Sequence, residues 1–187
     1  PNVTTTVIAD EMDISPGNLY YHFHSKDEIV NALFAEYEKE IESLLTAPGS
    51  RPRGTEDIWL FLHLLFEIIW KYRFFYRDIN DLLTRNRLVE THFQRILEHK
   101  QATALAVGEG LAASGILNAS PGELRALATN VTVVATFWLS FEHARRPRGA
   151  PDIGRGVYQV MSLAAPFMEG KERALLEKLS IEYVSEH

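Results

Sequence analysis

Cysteine is absent from the 187 residues. That excludes disulfide frameworks, zinc–thiolate sites and thiol catalysis. Long apolar runs are missing too. The longest, Ile58 to Trp70, is broken by His63 and Glu67, so no segment is expected to span a membrane. No secretory signal pattern occurs, and a cytoplasmic location is the default expectation. Positive charge is scarce near the start. Residues 1–48 hold Lys26 and Lys39 against nine acids, a net charge of −7 within a total of −6. Such a balance argues against a polyanionic partner unless specific motifs point to one. Strand-like alternation is nowhere sustained, and there is no internal repeat or low-complexity tract.

What is present is helical periodicity divided by proline and glycine. "APGSRPRGT" (Ala47 to Thr55) reads as a linker between a small N-terminal part, 1–46, and a larger one, 55–187. "SGILNASPGE" (Ser114 to Glu123) and "RRPRGAPDIG" (Arg146 to Gly154) are further breaks. The pattern predicts helices at 4–12, 15–23, 25–46, 55–73, 78–86, 88–114, 121–146, 152–168 and 170–185, hence an all-α protein. Thr4, Ser15, Ser25, Thr55 and Ser120 are placed to cap helix starts. Pro121 and Glu123 complete a capping box after Ser120.

In "DISPGNLYYHFHSKDEI", Asp13 to Ile29, the Pro16–Gly17 pair sits inside a helical pattern. Ser15–Pro16 fits an N-cap followed by a first-turn proline, which has no amide hydrogen to lose there. Gly17 in the first turn is up to about 1 kcal/mol worse than alanine, which suggests close approach to another surface. The preceding "TTTVIADEM" carries an apolar face of Val7, Ile8 and Met12, with the small Ala9 at a close crossing. Two short helices joined by a tight turn at Asp13–Ile14 follow the helix-turn-helix plan. Its second helix enters the DNA major groove. Gly17, Asn18, Tyr21 and His22 are then the small or polar groups facing outward, with Leu19 and Phe23 inward.

The stretch Thr4 to Leu33 resembles the TetR family of bacterial transcription regulators. The resemblance is carried by Thr4, Thr5, Ile8, Ala9, Leu19, Tyr20, Tyr21, His22, Phe23, Ser25, Lys26, Glu28 and Ile29. It implies that Thr5, Tyr20 and Lys26 hold phosphates, while Thr6, Gly17, Asn18, Tyr21 and His22 lie nearest the bases. The turn position that is often glycine is Asp13 here, a residue that tolerates left-handed geometry. The resemblance also implies a helix before this motif, where only Pro1 to Val3 stand, so an incomplete N-terminus is expected.

The larger part opens with "DIWLFLHLLFEIIWKYRFFYRD", apolar nearly all round and so expected to be buried. Trp59, Leu62, Phe66 and Trp70 share one face. They read either as plain core or as the wall of an apolar ligand cavity. His63 and Glu67 are either its polar groups or each other's partners. Phe93, Ile96, Leu97 and Trp138 are candidates for the far wall. Helices 121–146 and 152–168 carry more apolar surface than one side needs. The resemblance implies that they pair with symmetry mates in a homodimer, with Val131, Val134, Ala135, Phe141, Gly156, Val157, Val160 and Ala164 as interface candidates. It further implies a double-stranded DNA operator, a small-molecule effector and no membrane partner. The expected function is a repressor that releases a palindromic operator when a small, largely apolar ligand binds.

An enzyme is not expected. "GEGLAA" (Gly108 to Ala113) fits a relaxed dinucleotide fingerprint but lies in a helical pattern with no strand before it. No P-loop, no Gly-x-Ser-x-Gly elbow and no Glu-x-x-His pair occurs. His92 and His99 could share a helix face, but one pair is thin support for a metal, and six of the seven histidines read as surface. Neither a cofactor nor a metal is expected. The alternative to a regulator is a dimeric helical scaffold, or a small-molecule-binding protein without sequence-specific DNA binding.

Overall fold

A computed structural model describes residues 3–46, 54–149 and 152–184. The helices are α1 (Thr5–Glu11), α2 (Pro16–His22), α3 (Lys26–Thr46), α4 (Thr55–Lys71), α5 (Arg73–Arg77), α6 (Ile79–Arg85), α7 (Arg87–Ala113), α8 (Pro121–Arg145), α9 (Ile153–Ala164) and α10 (Gly170–Val184). A 3-10 turn, Ala165–Phe167, follows α9. Among the described residues there is no strand beyond one isolated bridge between Leu117 and Met168. The expected linker lies outside the described residues except for Gly54 and Thr55.

Most of the starts are fixed by their caps. Thr4 Oγ1 accepts from Val7 N at 3.3 Å, Ser15 Oγ from Asn18 N at 3.1 Å and Ser25 Oγ from Glu28 N at 3.2 Å. At α8 the Ser120–Glu123 capping box is closed in both directions. Thr55 differs from expectation. Gly54 is the cap residue, and Thr55 is buried in the first turn. Its hydroxyl and amide both bond Glu172, tying the start of α4 to α10.

The helix expected at 55–73 ends two residues early, and the stretch expected between helices, 74–77, is helical as part of α5; no glycine or proline marks the break between them. α4 stops at Lys71, and Tyr72 leaves helical geometry at φ −104° and ψ 27°. Tyr72 is buried, its hydroxyl donates to Glu40 at 2.8 Å, and its ring packs edge-on to Tyr37 at 5.4 Å. Tertiary packing overrides local propensity here. α9 ends at Ala164, and the 3-10 turn Ala165–Phe167 that follows holds Pro166, which cannot continue the α-helical bonding.

α7 and α8 form the central pair, α9 packs on α4 and α8, and α3 lies against α7 and α4. The core runs from Phe34, Tyr37 and Ile41 of α3 through Phe66, Phe75 and Phe93 to Leu139 and Val157. α8 is, by length and composition, long enough and apolar enough to cross a membrane, contrary to expectation. In the fold it packs against α7, α9 and α5.

Candidate nucleic-acid interface and inner cavity

α1 and α2 pack against each other, with Ala9 of α1 fully buried and Leu19 of α2 buried. The connection closes through Asp13 N to Asp10 O and Ile14 N to Ala9 O, both 3.1 Å. Asp13 takes φ 53°, the only positive φ at a non-glycine residue among the described residues. Aspartate therefore occupies the left-handed turn position, as its tolerance for that region allows.

Gly17, Asn18, Tyr20, Tyr21 and His22 are all exposed on α2, Tyr21 most openly at 79%. A methyl group at Gly17 would meet nothing nearer than Ser15 Oγ at 4.0 Å. Internal crowding therefore does not explain the glycine. Thr6 is exposed, while Thr5 and Lys26 are half-buried at the starts of α1 and α3. The acids of this unit are partly engaged. Glu28 accepts from His24 N at 2.7 Å, and Asp27 and Glu28 sit in the first turn of α3, where the helix dipole favours them.

A cavity of about 100 Å³ lies between α3, α4, α7, α8 and α9. Its wall includes Leu45, Phe61, Leu65, Val107, Val131 and Met161. Of the nine residues expected around a ligand, only Leu62 lines it. Trp59 and His63 are half-buried with ring centroids 4.1 Å apart. Phe66 is fully buried beside Trp138 and Gly156. Trp70 is half-buried under the Arg73 guanidinium, 4.6 Å from its ring. Phe93 and Ile96 are core, Leu97 packs on it, and Trp138 Nε1 donates to Asp152 O at 3.0 Å. Glu67 is exposed, away from the cavity wall. The wall of α4 is Ile58, Phe61, Leu62 and Leu65, one position round the helix from the aromatic stripe.

The residue that sequence reading missed is Lys100. It lines the cavity, is 4% exposed, and burial lowers its pKa to about 7. Its Nζ donates to Tyr76 Oη at 3.2 Å, and Tyr76 and Tyr37 share a hydroxyl–hydroxyl bond of 2.5 Å. Burial also raises the pKa of both tyrosines, so both remain phenols. A signal was available: Lys100 shares a helix face with Phe93, Ile96, Ala104, Val107 and Leu111, an apolar stripe that should carry no charge. Two histidines expected at the surface are half-buried instead. His92 Nδ1 meets Glu38 at 2.8 Å and His99 Nδ1 meets Glu42 at 2.6 Å, joining α7 to α3. Among the described residues no group of three ligating side chains could hold a metal.

The interface candidates divide. Val131, Ala135, Val160 and Ala164 line the inner cavity, and Gly156 and Val157 are buried inside the protomer. Val134 and Phe141 lie instead along an outer groove with Val133, Phe137, Arg155 and Gln159. Val133, Phe137 and Phe141, spaced by four, leave a row of large apolar groups exposed. Overall apolarity could not separate the two faces of α8, since both are apolar.

A helix-turn-helix unit joined by a long helix to a helical domain with an inner cavity defines a DNA-binding transcription regulator. The chain belongs to the TetR family. Residues 1–33 match the family model for "Bacterial regulatory proteins, tetR family", and residues 36–176 match that for "Bacterial transcriptional repressor". Among solved structures, a TetR-family transcriptional regulator from Marinobacter aquaeolei VT8 is similar, with 34% identity and a TM-score of 0.84. The match covers 97% of this chain and 89% of that one. No curated protein matches. Members of the family are DNA-binding regulators and not enzymes.

Proposed function

We propose that the protein is a homodimeric repressor that holds a palindromic operator and releases it when a small, largely apolar molecule enters the cavity. In this reading Thr5, Tyr20 and Lys26 contact phosphates, and Thr6, Gly17, Asn18, Tyr21 and His22 lie nearest the bases. Phosphate contacts set register and base contacts set sequence. The outer face of α8 and α9, with Val133, Val134, Phe137 and Phe141, pairs with its copy about a two-fold axis. The recognition helices then stand about 34–36 Å apart, one turn of DNA.

The observation that supports ligand control is the placement of α3. Its first residue, Lys26, follows α2 by three residues, and its penultimate residue, Leu45, lines the cavity. One rigid helix of 21 residues thus joins the two sites. The cavity, about 100 Å³, is smaller than the roughly 300–1,000 Å³ of drug-sized ligand sites. A larger ligand enters only if the helices separate, and this gives it different affinity for the two states. A coupling of about 1–3 kcal/mol weakens operator binding about 5–150-fold.

Phe141→Asp tests the dimer. Sedimentation should show monomers, and affinity for a two-half-site duplex should fall by at least about tenfold. A dimer that persists, or undiminished affinity, contradicts this arrangement.

A further inference from the structure

Lys100 is the only ionisable side chain among the described residues that line the cavity; Thr103 and Thr132 are its only hydroxyls. The other lining groups are aliphatic, aromatic, glycine or the Met161 thioether. An ammonium carries three donors, yet the structure gives Lys100 one acceptor, Tyr76 Oη at 3.2 Å. The Tyr76 ring adds a face 5.3 Å from Nζ. No carboxylate pairs with Lys100 among the described residues. The acids on the α3 side, Glu38 and Glu42, are taken by His92 and His99. Thr132 spends its own proton on Ala128 O at 2.9 Å. A buried cation without a counter-charge is unfavourable, and methionine or leucine would fill the same space without that penalty.

We propose that Lys100 anchors the head group of the ligand, and that the cavity takes an amphipathic acid with an apolar body and a single carboxylate. This inference rests on the ligand-responsive reading above and names the chemistry of its ligand. The carboxylate supplies the acceptors that the ammonium lacks, inside a low-dielectric site where a charge-assisted bond is short and strong. The apolar body lies along the uncharged wall, which includes Val107, Leu111, Val131 and Met161. Pairing with Lys100 also reaches Tyr76, and through it Tyr37 on α3.

Hexanoate, octanoate and decanoate, each beside its primary alcohol and methyl ester, are the probes. Binding is followed by calorimetry and by thermal shift, which a ligand selective for the folded state raises. The acids should bind at least about tenfold tighter than the alcohols of equal length. At about pH 8 their binding should take up a proton, seen as a dependence of the heat on buffer ionisation, while alcohols take up none. Lys100→Met and Lys100→Gln should remove the preference for acids over alcohols of equal length. Alcohols or esters that bind as well as acids would overturn the inference while leaving a ligand site in place. Unchanged discrimination in both variants would also overturn it. If no acid binds, the inference fails, and the neutral partners in the same titrations decide whether the cavity takes a ligand at all.

Discussion

Replacing Lys100 by methionine should stabilise the protein, and the gain should fade as pH rises. Burial brings the amine from 10.5 down to about 7. Below about pH 7 the native state therefore carries a charge it cannot solvate. Between about pH 7 and 10.5 the unfolded chain holds a proton that the native state has released, so wild-type stability rises through that window. At about 1.4 kcal/mol per pH unit, the full difference is about 5 kcal/mol. Methionine removes this penalty but also the bond to Tyr76, a loss of about 1 kcal/mol; Tyr76 keeps its bond to Tyr37. The net gain at about pH 6 is then roughly 2–4 kcal/mol, or about 5–15 °C in Tm for a chain of this size. At about pH 9, two pH units into the window, the gap should narrow by about 3 kcal/mol. Thermal unfolding followed by circular dichroism, at equal protein concentration and at both pH values, measures this. Other titrating groups cancel in the difference between the two proteins. A variant less stable than wild type at pH 6, or a gap independent of pH, would refute the burial of Lys100 in an apolar cavity wall.

Gly156→Ala places a methyl 2.5 Å from Phe66 Cε1 and 2.7 Å from Trp138 Cδ1. Both rings are buried, so the substitution should lower stability by about 1–3 kcal/mol, measured as the denaturant midpoint. Lys26→Ala should weaken binding to all DNA sequences alike and flatten the log–log salt dependence by about one. Asn18→Ala should instead change base preference at one position of each half-site; if affinity and preference are unchanged in both variants, the recognition surface is misassigned.

The sequence made the elements legible because their signals are local. Ser15–Pro16 and Ser120–Pro121–Glu123 mark helix starts through chemistry confined to four residues, and Asp13 marks the turn. A helix end near residue 73 was legible, but the sharp break at Tyr72 with α5 directly after it was not, because Tyr72 is held by Glu40 and Tyr37, more than thirty residues away. The position of the cavity was not legible for a related reason. The aromatic stripe on α4 reads either as plain core or as its wall, and periodicity does not decide; Phe66 is core, covered where Gly156 lets α9 come close. The open space lies one position further round, where Ala104 and Gly108 of α7 and Ala128 of α8 are small. Helical periodicity shows which residues are apolar; it does not show which of two apolar faces of α8 meets the protomer and which is left outside.

The central claim is sequence-specific DNA binding by a two-fold dimer, and selection of bound sequences from random duplex DNA tests it most directly. The account predicts enrichment of an inverted repeat whose half-site centres are about one helical turn, 34–36 Å, apart. A folded, dimeric protein that enriches no sequence would contradict it.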